Sequence, residues 1–412
     1  MAGGGASPST SSGLPAQTSE GLMALRLRPS SPASPAAAHP LDIDDLLREI
    51  LHRLPPLPHS LPLASLVCKR WRRLISDPGF RRHHRKPPVL GYFTVGNVTK
   101  GSRRLSFTHA VDPPDRIPAA FSPPPLCPGD DSFRLLDCRH GLVLMLGGAR
   151  WAAIAWNPIT GDQVRVPLPW VTEFFATGAV LRAAGNDYCK IGPFKLVFIC
   201  HNWGTGPPFV RLYRSESGTW VSITSTTMPG WVSVISPSIL VGNVLYWSLF
   251  GGSILEFDMD TNSLAVIEKS EGIHITTTPG SHILWTADNA LGIAVLSGPG
   301  IQLWKRKAYS DGAVRWVLQN IIQLNKISRR EPLIKITGKG LLGFAEDAVL
   351  FLWWSPAVFM IQLETLQFQK ISDSSEGLPC YPYTSFFTSG RGIGGAYDDT
   401  EKQYKRFFRC IC

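Results

Sequence analysis

The sequence predicts a mainly β protein with a short helical unit near its beginning, and three observations predict this fold class. The composition includes 38 glycines, 34 prolines and 13 tryptophans, which suits short strands and tight turns better than long helices. Beyond residue 90, an apolar strand pattern recurs roughly every 50 residues, as in repeat architectures. A helical spacing of apolar residues is confined to residues 40–86. We therefore expect a small helical part followed by a large part built from sheets.

The composition excludes several classes of protein. Hydrophobic residues make up 44% of the chain and charged residues 17%, so most of the chain can bury a core. No apolar run reaches the ~18 residues of a membrane span, and we expect a soluble protein with no membrane partner. The eight cysteines form neither a C-x-x-C pair nor a zinc-spaced cluster with histidines. We expect buried free thiols of a reducing compartment and no metal or other cofactor.

Residues 1–39 differ from the rest of the chain. They are rich in Ala, Gly, Ser and Pro, and Glu20 is their one acidic residue. Such a segment buries too little apolar surface to offset its conformational entropy, so we expect a disordered tail. The same Ser-rich, acid-poor composition is also typical of an organelle transit peptide, and this alternative stays open.

Apolar residues three and four positions apart predict the helices. The first helix ends at Pro55, and its apolar face consists of Ile43, Leu46, Leu47, Ile50, Leu51 and Leu54. The second begins at Ser60, and its apolar face consists of Leu63, Val67, Cys68, Trp71, Leu74 and Ile75. This arrangement directs Lys69, Arg70, Arg72 and Arg73 toward water.

A third helix is predicted from Asp77-Pro78, an N-cap followed by a proline in the first turn. Three helices over about 45 residues form a core that is marginal without help. We infer that another surface covers their apolar side.

The remaining chain repeats one theme of strand, break, strand, polar turn and strand. One copy is GLVLMLGGARWAAIAWNPITGDQVRVPLP, residues 141–169, and four further copies follow it. The turns NPITG, SESG and DMDTN fall at equivalent places and carry residues that hairpins need. The repeats predict a β-propeller of six or seven blades whose two chain ends pair to close the ring. A two-layer sandwich is the alternative.

Two stretches of the helical unit resemble a known family of helical modules. DIDDLLREILHRLP followed by SLVCKRWRRLISDPGF resembles the F-box, the helical module that docks onto the Skp-type adaptor of an SCF ubiquitin ligase. The chain departs from that pattern in having Asp42-Ile43 where many members have Leu-Pro, and in a connection about two residues longer. LDCRHGLVLML and AWNPITGDQVRVP resemble the kelch-like, F-box-associated propellers that are abundant in plants.

The resemblance implies a domain order and a role. It implies an F-box at residues 40–86 and a substrate-recognition propeller at residues 90–412. The protein would be a non-catalytic subunit in the cytoplasm or nucleus, with a Skp-type adaptor, a cullin scaffold and an unknown protein substrate as partners. The adaptor-facing residues would be Ile43, Leu46, Leu47, Ile50, Leu66, Val67, Cys68 and Trp71.

Two other functions, those of a propeller enzyme and of a nucleic-acid binder, are alternatives. A glycosidase-type propeller enzyme needs two carboxylates that face each other, and no repeated pair of acids stands out. A nucleic-acid binder would use the basic run from Lys69 to Lys86, but the rest of the chain is nearly balanced in charge. Gly338 to Gly343 satisfies G-x-G-x-x-G, yet a strand follows it where a helix is needed, which favours a turn. We therefore predict no catalytic residues.

Cysteine, arginine and histidine are adjacent at residues 138–140. Neighbours on a strand point to opposite faces, which argues against a nucleophile with its base. Trp203 and Trp231 lie in loop-like surroundings, where they either line a binding face or pack between blades.

Overall fold

A computed structural model describes most of the chain from residue 40 to residue 385. The described residues are 40–54, 60–77, 79–80, 87–99, 102–110, 133–147, 152–168, 173–182, 191–202, 209–224, 236–249, 252–268, 273, 280–324, 338–345, 348–374 and 376–385. The predicted tail at residues 1–39, and Trp203 and Trp231, lie outside them.

The described part of the helical module includes a 3₁₀ turn, Pro40–Asp42, and the α-helices α1 Asp44–His52, α2 Ser60–Val67 and α3 Lys69–Ser76. Asp44 and Asp45 lie in the first turn of α1 and His52 in its last turn, so the charges complement the helix dipole. The carboxylate of Asp77 accepts a hydrogen bond from the Phe80 amide at 3.2 Å, which is the predicted cap of the next turn.

The apolar spacing predicted one continuous second helix, and this prediction is wrong, because the helix is interrupted at Cys68. Cys68 has extended backbone angles, φ −160° and ψ 170°, and its Sγ accepts the backbone N–H of Trp71 at 3.5 Å. A side chain that caps α3 must stand outside the helix, so α2 and α3 become separate. The helical period continues across such a break, and for this reason the spacing did not reveal it.

The module has its own hydrophobic core, and among the described residues its members come from the helices and their connections. Leu47, Leu51, Leu74 and Ile75 are its most buried members. Leu41, Leu54 and Trp71 pack against this core from its edge.

Within the described residues, twenty-three strands form six sheets arranged as the blades of a propeller, as predicted from the repeats. Blade 1 consists of β3 Phe133–Arg139, β4 Leu142–Gly147, β5 Ala152–Trp156 and β6 Gln163–Pro167. Blade 2 consists of β7 Glu173–Arg182, β8 Phe194–Asn202, β9 Phe209–Arg214 and β10 Thr219–Thr224. Blade 3 consists of β11 Ile239–Val241, β12 Val244–Ser248, β13 Ile254–Asp258 and β14 Ser263–Ile267.

The second half of the ring repeats this order. Blade 4 consists of β15 Ser281–Trp285, β16 Leu291–Ser297, β17 Gly300–Ala308 and β18 Val314–Gln323. Blade 5 consists of β19 Lys339–Ala345, β20 Val349–Trp354, β21 Ala357–Gln362 and β22 Gln367–Asp373. Blade 6 has three described strands, β23 Tyr381–Thr384, β1 Val89–Thr99 and β2 Ser102–His109.

Blade 6 closes the ring by pairing the two ends of the propeller. The inner strand β23 pairs antiparallel with β1, with Val89 opposite Thr384 and Phe93 opposite Tyr381. On its other sides β23 contacts β19 of blade 5 and β3 of blade 1. The innermost strands therefore follow one another around the axis, and the ring ends without a free inner edge.

The hydrophobic core lies between the blades. Five clusters of buried side chains cover all six contacts between neighbouring blades. Strands in the middle of a blade are covered on both faces, so β4 is apolar and buried along nearly its whole length. The outer strand β6 alternates between exposed and buried residues because it lies at the rim.

The hairpins between the third and fourth strands share one turn geometry. A residue with positive φ precedes each fourth strand: Gly161 at 77°, Gly218 at 65°, Asn262 at 52°, Gly312 at 78° and Leu366 at 54°. Gly and Asn adopt this region most readily, which explains why the turn composition predicted these hairpins. Leu366 departs from the pattern, and a leucine at positive φ costs about 1–2 kcal/mol.

The G-x-G-x-x-G stretch begins one residue before β19 and continues within it, whereas the sequence favoured a turn. Its glycines make room for neighbouring groups. A Cβ at Gly338 would lie 2.6 Å from the ring of Trp353, and one at Gly343 would collide with the carbonyl oxygen of Cys380. The motif thus allows an inner strand to pack closely and forms no phosphate cradle.

Candidate functional site

The helical module exposes large aliphatic side chains on one side. Ile43 is 40% exposed, Leu46 45%, Ile50 39% and Val67 38%, and Cys68 is exposed beside them in sequence. Ile43, Leu46 and Ile50 are three and four positions apart, so they form one stripe along α1. We call Ile43, Leu46, Ile50, Val67 and Cys68 the docking face.

Leu47 does not belong to this face, because its side chain is fully buried in the module's own core. It lies one position from Leu46, and a turn of 100° per residue places the two side chains on different sides of α1. Trp71 is half-buried against the same core. Leu66 lies in α2, and its side chain is outside the described part of the structure.

Arg70 holds the end of the docking face in place, although the sequence placed it toward water. Its guanidinium donates to the carboxylate of Asp44 at 2.8 Å and to the carbonyl oxygen of Leu41 at 2.6 Å. These bonds join α3 to the start of α1 over 26 and 29 residues. Arginine can reach both acceptors because its donors spread as a planar fork. Apolar spacing carries no signal for this contact.

Some basic residues of α3 form contacts within the helical module. Besides Arg70, Arg72 donates to the carbonyl oxygen of Ser65 at 3.3 Å, and Arg73 lies 4.0 Å from the carboxylate of Asp44. The remainder of the basic run, residues 81–86, is outside the described residues. The described part therefore presents less free positive charge than the sequence indicated.

The centre of the propeller contains a second candidate site, a small cavity of about 30 Å³ between the innermost strands. Its lining includes Asp137 and Arg139 of β3, Trp285 of β15 and Tyr381 of β23. Burial raises the pKa of Tyr381 to about 12, so its phenol is neutral at physiological pH. The space suffices for about one water molecule.

A buried ionic network connects three blades at this cavity. Asp137 Oδ2 accepts the backbone N–H of Val180 in blade 2 at 2.9 Å. The Arg139 guanidinium lies 3.7 Å from the same carboxylate and donates to the carbonyl oxygen of Ser238, just before β11, at 2.5 Å. Both charged side chains are at most 6% exposed. The network thus joins blades 1, 2 and 3 around the axis.

Residues 138–140 do not come together as a catalytic group. Cys138 packs against the core between blades 6 and 1 and, like Arg139, also lines the central cavity. His140 lies outside β3, with a positive φ of 53°, and its Nδ1 accepts the backbone N–H of Arg182 at 3.4 Å. The turn at His140, and not strand alternation as the sequence argument had it, therefore sets the direction of the imidazole, because Cys138 and His140 are two positions apart.

The central cavity offers little support for the glycosidase alternative. Asp137 is the one carboxylate among its described lining residues, and it is already engaged with Val180 and Arg139. Hydrolysis of a glycosidic bond needs a second, facing carboxylate. In the described ranges, no group of three or more His, Cys, Asp or Glu side chains is placed to hold a metal ion.

Four cysteines are described, and all are free thiols. Cys200 and Cys380 are buried as predicted, and burial raises the pKa of the Cys380 thiol well above its usual range. Cys138 is half-buried, and Cys68 is exposed, because its position as a helix cap keeps it outside the module's core. No helix within the described ranges is long and apolar enough to cross a membrane.

His282, in the innermost strand of blade 4, predicts a dependence of stability on pH. Burial lowers the pKa of its imidazole, only partly offset by the carbonyl oxygen of Ile283. In the unfolded chain, histidine takes up a proton near pH 6.5, whereas in the folded chain His282 is protonated only at lower pH. The free energy of unfolding should therefore decrease as the pH falls below about 6.5.

Urea unfolding at a series of pH values between about 7.5 and 5 measures this dependence. His282→Gln removes the titrating group, so its stability should decrease less steeply over the same pH range than that of the wild type. Equal slopes for both proteins would contradict the assignment to His282.

The fold defines a class of protein, a six-bladed β-propeller that follows a small helical module. The F-box domain family matches residues 44–83, so the helical module is an F-box domain. No curated protein matches the chain.

Several solved structures show distant likeness. The chain is similar to the extracellular domain of a putative one-component system from B. thetaiotaomicron, with 12% identity and a TM-score of 0.36 over 61% of this chain and 29% of that chain. It is also similar to a chain of a nidogen/laminin complex, with 9% identity and a TM-score of 0.37 over 71% of this chain and 95% of that chain. Likeness at this level carries no argument about function.

Proposed function

We propose that the protein is a substrate-recognition subunit of an SCF-type ubiquitin ligase. F-box domains bind Skp-type adaptors in SCF complexes, and an F-box followed by a propeller fits such a subunit. The F-box at about residues 40–86 would hold the adaptor and, through it, the cullin scaffold. The propeller, from about residue 90 onward, would hold a protein substrate in the cytoplasm or nucleus.

The docking face is the observation that carries this proposal. Three aliphatic side chains of α1 are about 40% exposed although a small module has few apolar residues to spare for its core. Ile50 is 39% exposed, and among the described residues Trp71 packs against the module's own core. An exposed aliphatic stripe on a helix is the feature that a partner groove recognises.

The proposed role is non-catalytic. Ubiquitin chemistry would take place on enzymes that the scaffold brings near, and the propeller would keep substrate lysines close to them. Holding two reactants together raises their effective concentration, which is the contribution that this subunit would make. A kelch-like propeller type and a plant origin remain parts of this proposal that rest on sequence resemblance alone.

The double substitution Leu46→Asp/Ile50→Asp in the full chain should weaken binding to a purified Skp-type adaptor by about 100-fold or more, because buried interface anchors cost about 2 kcal/mol or more each when lost. Both side chains are exposed in the free protein, so the F-box should stay folded. Isothermal titration calorimetry measures the affinity, and circular dichroism checks the helices.

Val221→Asp/Leu318→Asp is a matched control. Both residues are 39% exposed aliphatic side chains, but they lie on outer strands of blades 2 and 4. This variant should bind the adaptor like the wild type. Equal affinity of the docking-face variant and the wild type would overturn the proposal, as would a complete failure of the wild type to bind.

A further inference from the structure

A cavity of about 330 Å³ lies between blades 2 and 3, away from the central axis. One wall is formed by the ends of the blade 2 strands, and the other by the turn between β11 and β12 and by the end of β13. Its volume falls in the range of ligand-binding cavities, about 300–1,000 Å³. We call it the basic cavity because of its charged lining, Arg182, Lys195 and Arg214.

The strand register places like charges side by side in this cavity. Lys195 of β8 is directly opposite Arg214 of β9, and Leu181 of β7 is opposite Lys195 on the other side. Directly opposed residues point to the same face of a sheet, and like charges there destabilise the pair. Within the described residues, no carboxylate forms an ion pair with Lys195 or Arg214. A bound anion would relieve this repulsion.

The cavity lining also contains apolar side chains, Leu181, Phe194 and Met259, which we call its floor. Glu216 is a further lining residue, and the side chain of the lining residue Asn243 donates a hydrogen bond to Asp260. These carboxylates disfavour a polyphosphate chain such as a nucleic acid, whereas a short peptide with acidic and apolar side chains fits both the cations and the floor.

We propose that the basic cavity binds an acidic segment of a protein substrate, with a carboxylate between Lys195 and Arg214 and an apolar neighbour on the floor. This inference rests on the proposed function, because it assigns the substrate contact to one place on the propeller. It also names the chemistry of the segment that is recognised.

The cavity opens on the face of the propeller where the chain arrives from the F-box. The hydroxyl of Tyr383 donates to the carbonyl oxygen of Gly141 at 3.3 Å, so β23 and β3 end on the same face. Val89, the first residue of β1, is paired with Thr384 at the end of β23, and His140 beside Gly141 lines the cavity. A segment bound there would lie on the face of the propeller where β1 begins.

Fluorescence anisotropy of the full-length protein tests this inference. The probe is a labelled, terminally blocked peptide Glu-Leu-Glu-Glu-Leu-Glu at about 50 mM salt, where screening is moderate. Lys195→Glu/Arg214→Glu should weaken binding about tenfold or more, because a fixed pair of cations becomes a pair of anions. The peptide Gln-Leu-Gln-Gln-Leu-Gln should not bind.

Arg104→Glu/Lys307→Glu is the matched control, since it changes the net charge equally at two exposed positions of blades 6 and 4. It should bind the acidic peptide like the wild type. An equal loss in both variants would mean that only net charge matters and would overturn the inference. So would the absence of peptide binding by the wild type, or tighter binding of a single-stranded oligonucleotide at the same cavity.

The adaptor affinity of the same variants separates this inference from the proposed function. Lys195→Glu/Arg214→Glu should leave adaptor binding unchanged, because neither residue lies on the docking face. Loss of peptide binding with intact adaptor binding supports the basic cavity. If the wild-type protein binds the peptide through this cavity but does not bind the adaptor, the inference about the cavity stands and the proposed ligase function is contradicted.

Discussion

Replacement of Tyr383 by Ala should lower the free energy of unfolding by about 3–5 kcal/mol, the range for large aromatic core side chains. Tyr383 is fully buried in the innermost strand that joins the two ends of the propeller. Its ring contacts Phe93 edge-to-face at 5.8 Å between centroids, and its hydroxyl bonds to the turn of blade 1. The substitution would therefore open a cavity at the point where the ring closes.

Tyr383→Phe separates packing from hydrogen bonding. It keeps the ring and removes the hydroxyl that donates to Gly141, so the expected loss is about 1 kcal/mol. Tyr309→Ala, at a 38% exposed tyrosine of blade 4, should cost under about 1 kcal/mol. Urea unfolding followed by tryptophan fluorescence measures all three. A loss for Tyr383→Ala no larger than that for Tyr309→Ala would contradict the role of β23 in closing the ring.

Arg139→Met should have a similarly large effect, a loss of about 3–5 kcal/mol, because it leaves a buried carboxylate without its cation. Asp137 is 2% exposed, and the substitution would remove the guanidinium that lies 3.7 Å from its carboxylate. The change also removes the bond to the carbonyl oxygen of Ser238 that connects blade 1 to blade 3. Urea unfolding compared with that of the wild type measures the loss.

Two further variants test the electrostatic cause. Arg104→Met makes the same change at an exposed position of β2 and should alter stability by less than about 0.5 kcal/mol. Asp137→Asn in the Arg139→Met background should recover part of the loss, because the amide oxygen can still accept the N–H of Val180 without a charge. A further loss in the double variant would show that the charge of Asp137 was not the source of the instability.

Local patterns predicted much of the candidate site. The three- and four-residue spacing of Ile43, Leu46 and Ile50 placed them on one face of α1, and the structure exposes all three. Leu47 shares the apolar character of that set but lies in the core, because adjacent helical positions differ by 100° in direction. Composition cannot distinguish an apolar residue that packs in the module's own core from one that stays exposed on its surface.

The contacts that span many residues were not predictable in this way. Arg70 binds the start of α1, and Arg139 binds the residue before β11 across 99 positions. Lys195 and Arg214 become neighbours only through the pairing of β8 with β9. Each contact depends on which distant segments pack against each other, and the local pattern of a single sequence does not specify that pairing.

The sequence by itself determined the class of the protein and its local elements. Turn residues such as Gly161 and Asn262 set the hairpins, because few residues adopt a positive φ without strain. Apolar periodicity predicted the helical segments, since it repeats within a few residues, but not the break at Cys68. The sequence also predicted that the two chain ends close the ring. The choice of six blades, the register in which β23 pairs with β1 and the place of the basic cavity were decided only in the tertiary structure. These features depend on how complete sheets pack around an axis, which is a balance of many weak contacts between distant segments.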